Sequence, residues 1–212
     1  MEPLDPAEVR VLGALLEKEA TTPEYYPLSL NALVNACNQK SNRDPVVDYD
    51  EDTVYDAVNR LREKKLAVTI TGSGRVNKYA QRISETLNLG RRELAVLCTL
   101  LLRGPQTLGE VKDRSERMFS FTDPSETESV LEKLAEWPGM PLARKLARQP
   151  GQKEARYTHL LSGEPSFEAG AADMPASNPP TRVAQLEQEL SQLRAEFNQL
   201  KKRFDDLEAQ FR

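Results

Sequence analysis

Histidine is almost missing from this chain of 212 residues: His159 is the only one, and cysteine occurs just twice, at Cys37 and Cys98. A structural zinc site takes about four Cys or His ligands in close pairs, more than this chain owns. A disulfide framework needs a far higher cysteine density. One imidazole leaves room for at most one His-based triad, and no motif sets a nucleophile beside His159. No apolar run approaches the ~20 residues of a membrane-spanning helix. The opening MEPLDPAEVR lacks the basic segment and apolar stretch of a signal peptide. These absences lead to the expectation of a cytosolic protein with no metal, no cofactor and no membrane partner.

What the chain does have is charge. There are 29 Lys+Arg against 33 Asp+Glu, a formal net charge of −4. Mild acidity argues against a surface that binds nucleic acid everywhere. The balance is uneven along the chain: −3 over 1–86, +2 over 87–161, −3 over 162–181 and zero over 182–212. Only the second segment is biased toward anions.

Periodicity sets out the elements. Asp5-Pro6-Ala7-Glu8 offers an N-cap, a proline at the first helical position and a capping-box acid. Val9, Leu12, Leu15 and Leu16 then share a helical face up to about Ala20. A second helix begins near Ser29, with Leu30, Leu33, Val34 and Cys37 in line, and a third near Asp50, with Val54, Val58 and Leu61. The period then changes: Leu66–Thr71 alternates, Gly72-Ser73-Gly74 turns, and Arg75–Gln81 returns as a strand. Three helices and a hairpin are the order of a winged helix, a helix-turn-helix relative whose hairpin is the wing.

The pattern repeats. VRVLGALLEK (9–18) matches LAVLCTLLLR (94–103) in apolar spacing, and Gly104-Pro105 supplies a helix stop. Thr107…Glu110 and Asp123…Glu126 are capping boxes for two more helices, the first carrying Leu108 and Val111, the second Val130, Leu131 and Leu134. Leu142–Arg148 and Glu154–Leu160 read as a second hairpin around Pro150-Gly151-Gln152. At an offset of 78, QPGQKEARYTHLL (149–161) aligns with TGSGRVNKYAQRI (71–83), pairing Arg75 with Lys153, Lys78 with Arg156 and Tyr79 with Tyr157. The expected fold is mainly α with small β-hairpins (α+β): winged-helix domains over 1–86 and 87–161. Modules this small are expected to pack on one another.

Residues 162–181 are rich in Gly, Ala, Ser and Pro with few large apolar side chains, so a flexible linker is expected. From 182 to 212, Val183, Leu186, Leu190, Leu193, Phe197, Leu200, Phe204, Leu207 and Phe211 step by three and four, the seam of a coiled coil. Glu189 with Arg194, Glu196 with Lys201 and Arg203 with Glu208 attract in a parallel dimer, whereas antiparallel pairing opposes Glu187 to Glu208 and Arg194 to Lys201. A parallel homodimer through this helix is expected; an amphipathic helix folding back on the body is the alternative.

Residues 21–61, TTPEYYPLSLNALVNACNQKSNRDPVVDYDEDTVYDAVNRL, resemble the YceH family of uncharacterised bacterial cytosolic proteins. So do AVLCTLLLRGPQTLGEVKDRSERMFSF (95–121) and QPGQKEARYTHLLSGEP (149–165). The resemblance covers nearly all of 6–165 and implies a tandem winged-helix fold. It implies no reaction.

Candidate sites follow from charge. A winged helix reads DNA with the start of its third helix while basic residues hold phosphates. Here those positions hold Asp48, Asp50, Glu51, Asp52 and Asp56, and in the second half Asp123, Glu126 and Glu128. One acid caps a helix; four within Asp50–Asp56 exceed that need and repel phosphate. Arg60, Arg62, Lys64 and Lys65 make a basic strip or a solvated helix end. Arg144, Lys145, Arg148, Lys153 and Arg156 make the second wing basic, suited to nucleic acid or an acidic partner, or else simply the outward face of an edge strand. Gln39, Lys40, Asn42 and Arg43 form a polar binding loop or a plain connector. Cys37 and Cys98 fall on apolar faces and read as core; Trp137 reads as a core or interdomain anchor. The leading expectation is a non-enzymatic binding protein with a protein partner. A transcriptional regulator touching double-stranded DNA through the second wing is the alternative.

Overall fold

The computed structural model describes residues 2–71, 76–148 and 152–164, all within one compact unit, Met1–Pro165. The Gly72-Ser73-Gly74 turn, Arg75, most of the expected linker and the entire seam from Val183 to Phe211 lie outside the described residues.

Helix α1 (Pro6–Thr21) is followed by a 3-10 turn (Pro23–Tyr25), β1 (Leu28–Ser29), α2 (Leu30–Cys37), α3 (Glu51–Glu63), β2 (Ala67–Ile70) and β3 (Lys78–Gln81). After a one-turn helix α4 (Ile83–Thr86) the order recurs: α5 (Arg91–Arg103), β4 (Gln106–Thr107), α6 (Leu108–Ser115), α7 (Pro124–Ala135), β5 (Ala143–Lys145) and β6 (Arg156–His159). The result is a mixed α/β chain of seven α-helices and two small antiparallel sheets among the described residues.

Each sheet is three-stranded, in the orders β1-β3-β2 and β4-β6-β5. The offset of 78 is kept between the first and last strands, with Tyr79 opposite Leu28 and Tyr157 opposite Gln106, but within the hairpins it slips by two residues, since Tyr79 stands opposite Thr69 and Tyr157 opposite Lys145. The strands are shorter than their alternation predicts, and β1 and β4 are unanticipated, because two residues are too few to display a period of two. Each leads directly into the helix after it, capped by Ser29 or Thr107.

The local capping signals hold at two of three sites. Asp5 and Glu8 close a full capping box on α1, as do Thr107 and Glu110 on α6. At α7 the box is a correction: Asp123 accepts from the Glu126 amide at 2.9 Å, but the Glu126 carboxylate accepts from Thr122, one residue upstream, at 2.9 Å. Arg92, 3.1 Å from the other Glu126 oxygen, holds it there.

One expectation about α1 is too narrow. The spacing predicts a single apolar face, yet Val11, Gly13 and Ala14 are also buried, as are Glu8, Arg10 and Glu17. The helix is enclosed because α2 and α3 cover one side and α5 the other. Gly13 makes the close approach possible: a Cβ there would lie 2.8 and 2.9 Å from Leu102 side-chain atoms. The Cys98 thiol donates to the Gly13 carbonyl at 3.4 Å across the same contact. Both cysteines are buried and unoxidised, and burial pushes the Cys37 thiol up to about 12, which matches a small hydrophobe in the core. Trp137 donates to the Leu87 carbonyl at 3.1 Å, tying the end of α7 to the segment between α4 and α5.

Candidate functional site

Helix α3 turns Val54, Ala57, Val58 and Leu61 inward. Its 3.6-residue period therefore places Glu51, Asp52, Tyr55 and Asp56 in solvent. Asp50 is spent as the N-cap, accepting from the Thr53 amide at 2.8 Å, and those hydrogen bonds hold its carboxyl below the ordinary range. Asp48, Glu51, Asp52 and Asp56 have no basic side chain within ion-pair distance among the described residues. Tyr55, 45% exposed, sits amid them. The result is an acidic face with an aromatic at its centre.

The corresponding acids on α7 are consumed. Asp123 caps the helix, Glu126 is held by Arg92, and Glu128 accepts from the Tyr157 hydroxyl at 3.2 Å and from Lys145 at 3.4 Å. The five basic residues of the second hairpin divide in the same way. Arg144 pairs with Glu164, Lys145 with Glu128 while lying 5.4 Å over the Tyr157 ring, and Arg156 with Glu110 at 3.1 Å and the Pro105 carbonyl at 2.8 Å. Only Arg148 and Lys153 are exposed without a carboxylate partner among the described residues. Exposed ion pairs are weak and break readily, but here they cancel most of the charge that made the hairpin look basic.

Two other expected clusters are structural. In the 39–43 loop, Lys40 is exposed, but Arg43 is buried. Its guanidinium donates to Glu17 at 2.7 Å, to the Ala36 carbonyl at 2.7 Å, to Gln39 at 3.0 Å and to the Asn42 carbonyl at 3.0 Å. Asn42, at φ 60, accepts from Arg103 on α5. Three of the four residues thus bind the loop to the helices and not to a ligand. Likewise Arg60 pairs with Asp5 at 2.8 Å, Lys64 lies 2.8 Å from the Glu8 carboxylate, and Arg62 bonds Asn59 at 2.8 Å.

His159 is largely enclosed on β6; its Nδ1 has no hydrogen-bond partner, and burial pushes the imidazole down to about 4. Among the described residues no group of three His, Cys, Asp or Glu converges on a metal position, and no helix is long and apolar enough to cross a membrane. A cleft of about 490 Å³ opens beside α1 and α5, with Leu16, Leu94 and Met118 on its walls and the half-buried Glu19, its pKa raised by burial, bonded to Gln81 at 2.7 Å.

Sequence reasoning missed one cluster. Arg103 entered only as the last residue of the repeat LAVLCTLLLR (94–103), yet it joins Arg114 and Arg117 around a recess that Glu17 and Asn42 also line. The signal available was the run of basic residues Arg114 and Arg117 at the end of α6 and in the turn after it.

These features define a mixed α/β protein of two like-ordered helix–hairpin halves, with an acidic outward face on one helix of the first. The chain belongs to the family described as "Protein of unknown function, DUF480", which it matches over residues 4–152. It is 56% identical over 191 residues to a UPF0502 protein of Solibacter usitatus, covering 89% of this chain and 91% of that one. A UPF0502 protein of Citrifermentans bemidjiense is 55% identical over 191 residues, at 89% and 88% coverage. Another from Geobacter sulfurreducens is 50% identical over 197 residues, covering 89% of each.

Proposed function

We propose that this chain is a non-enzymatic, cytosolic tandem winged-helix protein that binds a protein partner through the acidic face of α3 and dimerises through its C-terminal heptad helix. The helix, strand, helix, helix, hairpin order, present twice, supports the winged-helix reading. The observation that carries the choice of partner is electrostatic. Asp48, Glu51, Asp52 and Asp56 are left without ion pairs among the described residues, while Glu126 and Glu128 of α7 and three of the five hairpin bases are paired internally. A free acidic face around Tyr55 is complementary to a basic protein segment and repels a phosphate backbone. The second reading, a DNA-contacting regulator, rests on Arg148 and Lys153, which stay exposed and unpaired among the described residues.

The test is affinity capture with nuclease treatment of half the sample, repeated with the triple variant Glu51→Gln, Asp52→Asn, Asp56→Asn. A partner that survives nuclease and is lost from the triple variant supports the proposal. Capture that depends on nucleic acid, is lost with Arg148→Glu and Lys153→Glu, and weakens steeply with salt transfers support to the regulator.

A further inference from the structure

The recess where α1, α5, α6 and the 39–43 loop meet has more arginine than its carboxylates neutralise. Arg103, Arg114 and Arg117 line it, with Glu17 as its one acidic wall. Glu17 is already engaged: its side chain is 7% exposed, 2.7 Å from Arg43, whose side chain is fully buried, and 3.8 Å from Lys18. The next carboxylate, Glu110, is divided between Arg114 at 3.2 Å and Arg156 at 3.1 Å. Arg103 donates to Asn42, a neutral amide, and has no carboxylate within ion-pair distance among the described residues; neither has Arg117. With Asp44, whose charge also reaches Arg103, five guanidiniums face three carboxylates.

At Arg103 proton affinity is lowered first by burial and then by Arg114 and Arg43, which together outweigh the opposing pull of Glu17 and Asp44. Like charges are not assembled without a counter-charge at no cost, and each guanidinium presents a planar fork suited to two oxygens of a carboxylate or phosphate. We infer that this recess is a binding site for a small tetrahedral oxyanion, either free phosphate or the phosphoryl group of a small molecule. The recess holds about 20 Å³, room for about one water. The oxyanion sits with one oxygen inside and the rest at the mouth, so any larger group attached to it projects into solvent. Because its walls come from α1, α5, α6 and the loop together, bound anion stabilises the junction of the two halves.

Isothermal titration of the full chain with inorganic phosphate and with phenyl phosphate, at ionic strength held constant with NaCl, tests the site. The expected result is saturable binding at about one site per chain, weakened roughly tenfold or more by Arg103→Gln and by Arg117→Gln, each loss being that of a charge-assisted contact. Arg82→Gln, outside the recess, leaves it unchanged. Tighter binding of inorganic phosphate assigns the free ion; tighter binding of the ester assigns a phosphorylated small molecule. The inference is overturned if the folded chain gives no saturable heat with either probe up to roughly 20 mM, a concentration that would half-fill even a site of about 2.3 kcal/mol. It is equally overturned if Arg117→Gln, an exposed change that leaves the fold intact by circular dichroism, binds like the wild type.

Discussion

Replacing Arg43 tests whether the 39–43 loop is a ligand-binding segment or a pin. The Arg43 side chain is fully buried and donates to Glu17, Gln39 and the Ala36 and Asn42 carbonyls. In Arg43→Met the aliphatic stem is kept and the cation removed, which leaves the Glu17 carboxylate, 7% exposed, with only Lys18 at 3.8 Å. Breaking a buried pair from one side costs about 3–5 kcal/mol, because the charge left behind stays desolvated. That is a large part of the ~5–15 kcal/mol that holds a domain folded. Removing both charges, as Arg43→Met with Glu17→Leu, restores much of the loss, since no charge remains to desolvate. The contrast is Arg82, whose pair with Glu85 at 3.3 Å is 53% and 75% exposed; its truncation costs at most about 1 kcal/mol. Urea unfolding followed by the emission of Trp137, the only tryptophan, with circular dichroism in parallel, measures each difference. An Arg43→Met loss no larger than that of Arg82→Ala, or a double variant that loses the sum of the two single losses, contradicts the role of Arg43 as a pin.

Gly13→Ala adds a methyl 2.8–2.9 Å from Leu102 inside the α1–α5 contact. The gain in helix propensity, up to about 1 kcal/mol, is outweighed by an overpacking cost of roughly 1–3 kcal/mol, and adding Leu102→Ala makes the pair less costly than the sum; thermal melts check both. His159 gives a pH dependence whose sign follows from its lowered pKa. The unfolded chain takes up a proton near 6.5 while the folded chain resists until about 4, so this contribution is intact above pH 6.5 and drains away as the pH falls toward 4. The loss reaches about 2–3 kcal/mol near pH 4, and His159→Gln should flatten the stability curve across that window; an unchanged slope contradicts the assignment. Cutting the chain after Pro165 should turn a dimer into a monomer by light scattering while leaving the far-ultraviolet spectrum of the remaining unit helical. A particle that keeps the same number of chains after the cut rules out dimerisation through the tail.

Much of the fold was legible because its signals are local. Asp5 with Glu8 and Thr107 with Glu110 act across three residues, so the chain announces those helix starts by itself. The offset of 78 foretold that Tyr79 and Tyr157 occupy equivalent places, each opposite the two-residue strand that opens its half's second helix. The enclosure of α1 was not legible: its second apolar side exists only because α5, over 80 residues on, lies against Gly13. The candidate site was half legible. Periodicity alone put the acids of α3 in solvent, but no pattern said which charges would remain unpaired.

What the sequence by itself determined is the order of the longer elements, the capping boxes of α1 and α6, the internal duplication and the acidic outward face of α3. What only the tertiary structure decided is the fate of each charge. Arg43 reaches Glu17 across 26 residues, Arg60 reaches Asp5 across 55, and Arg156 reaches Glu110 across 46. Ion pairing depends on distance and dielectric in space, which sequence separation does not encode. A hairpin basic by composition is thereby largely neutralised, and three arginines unremarkable by position converge around one recess.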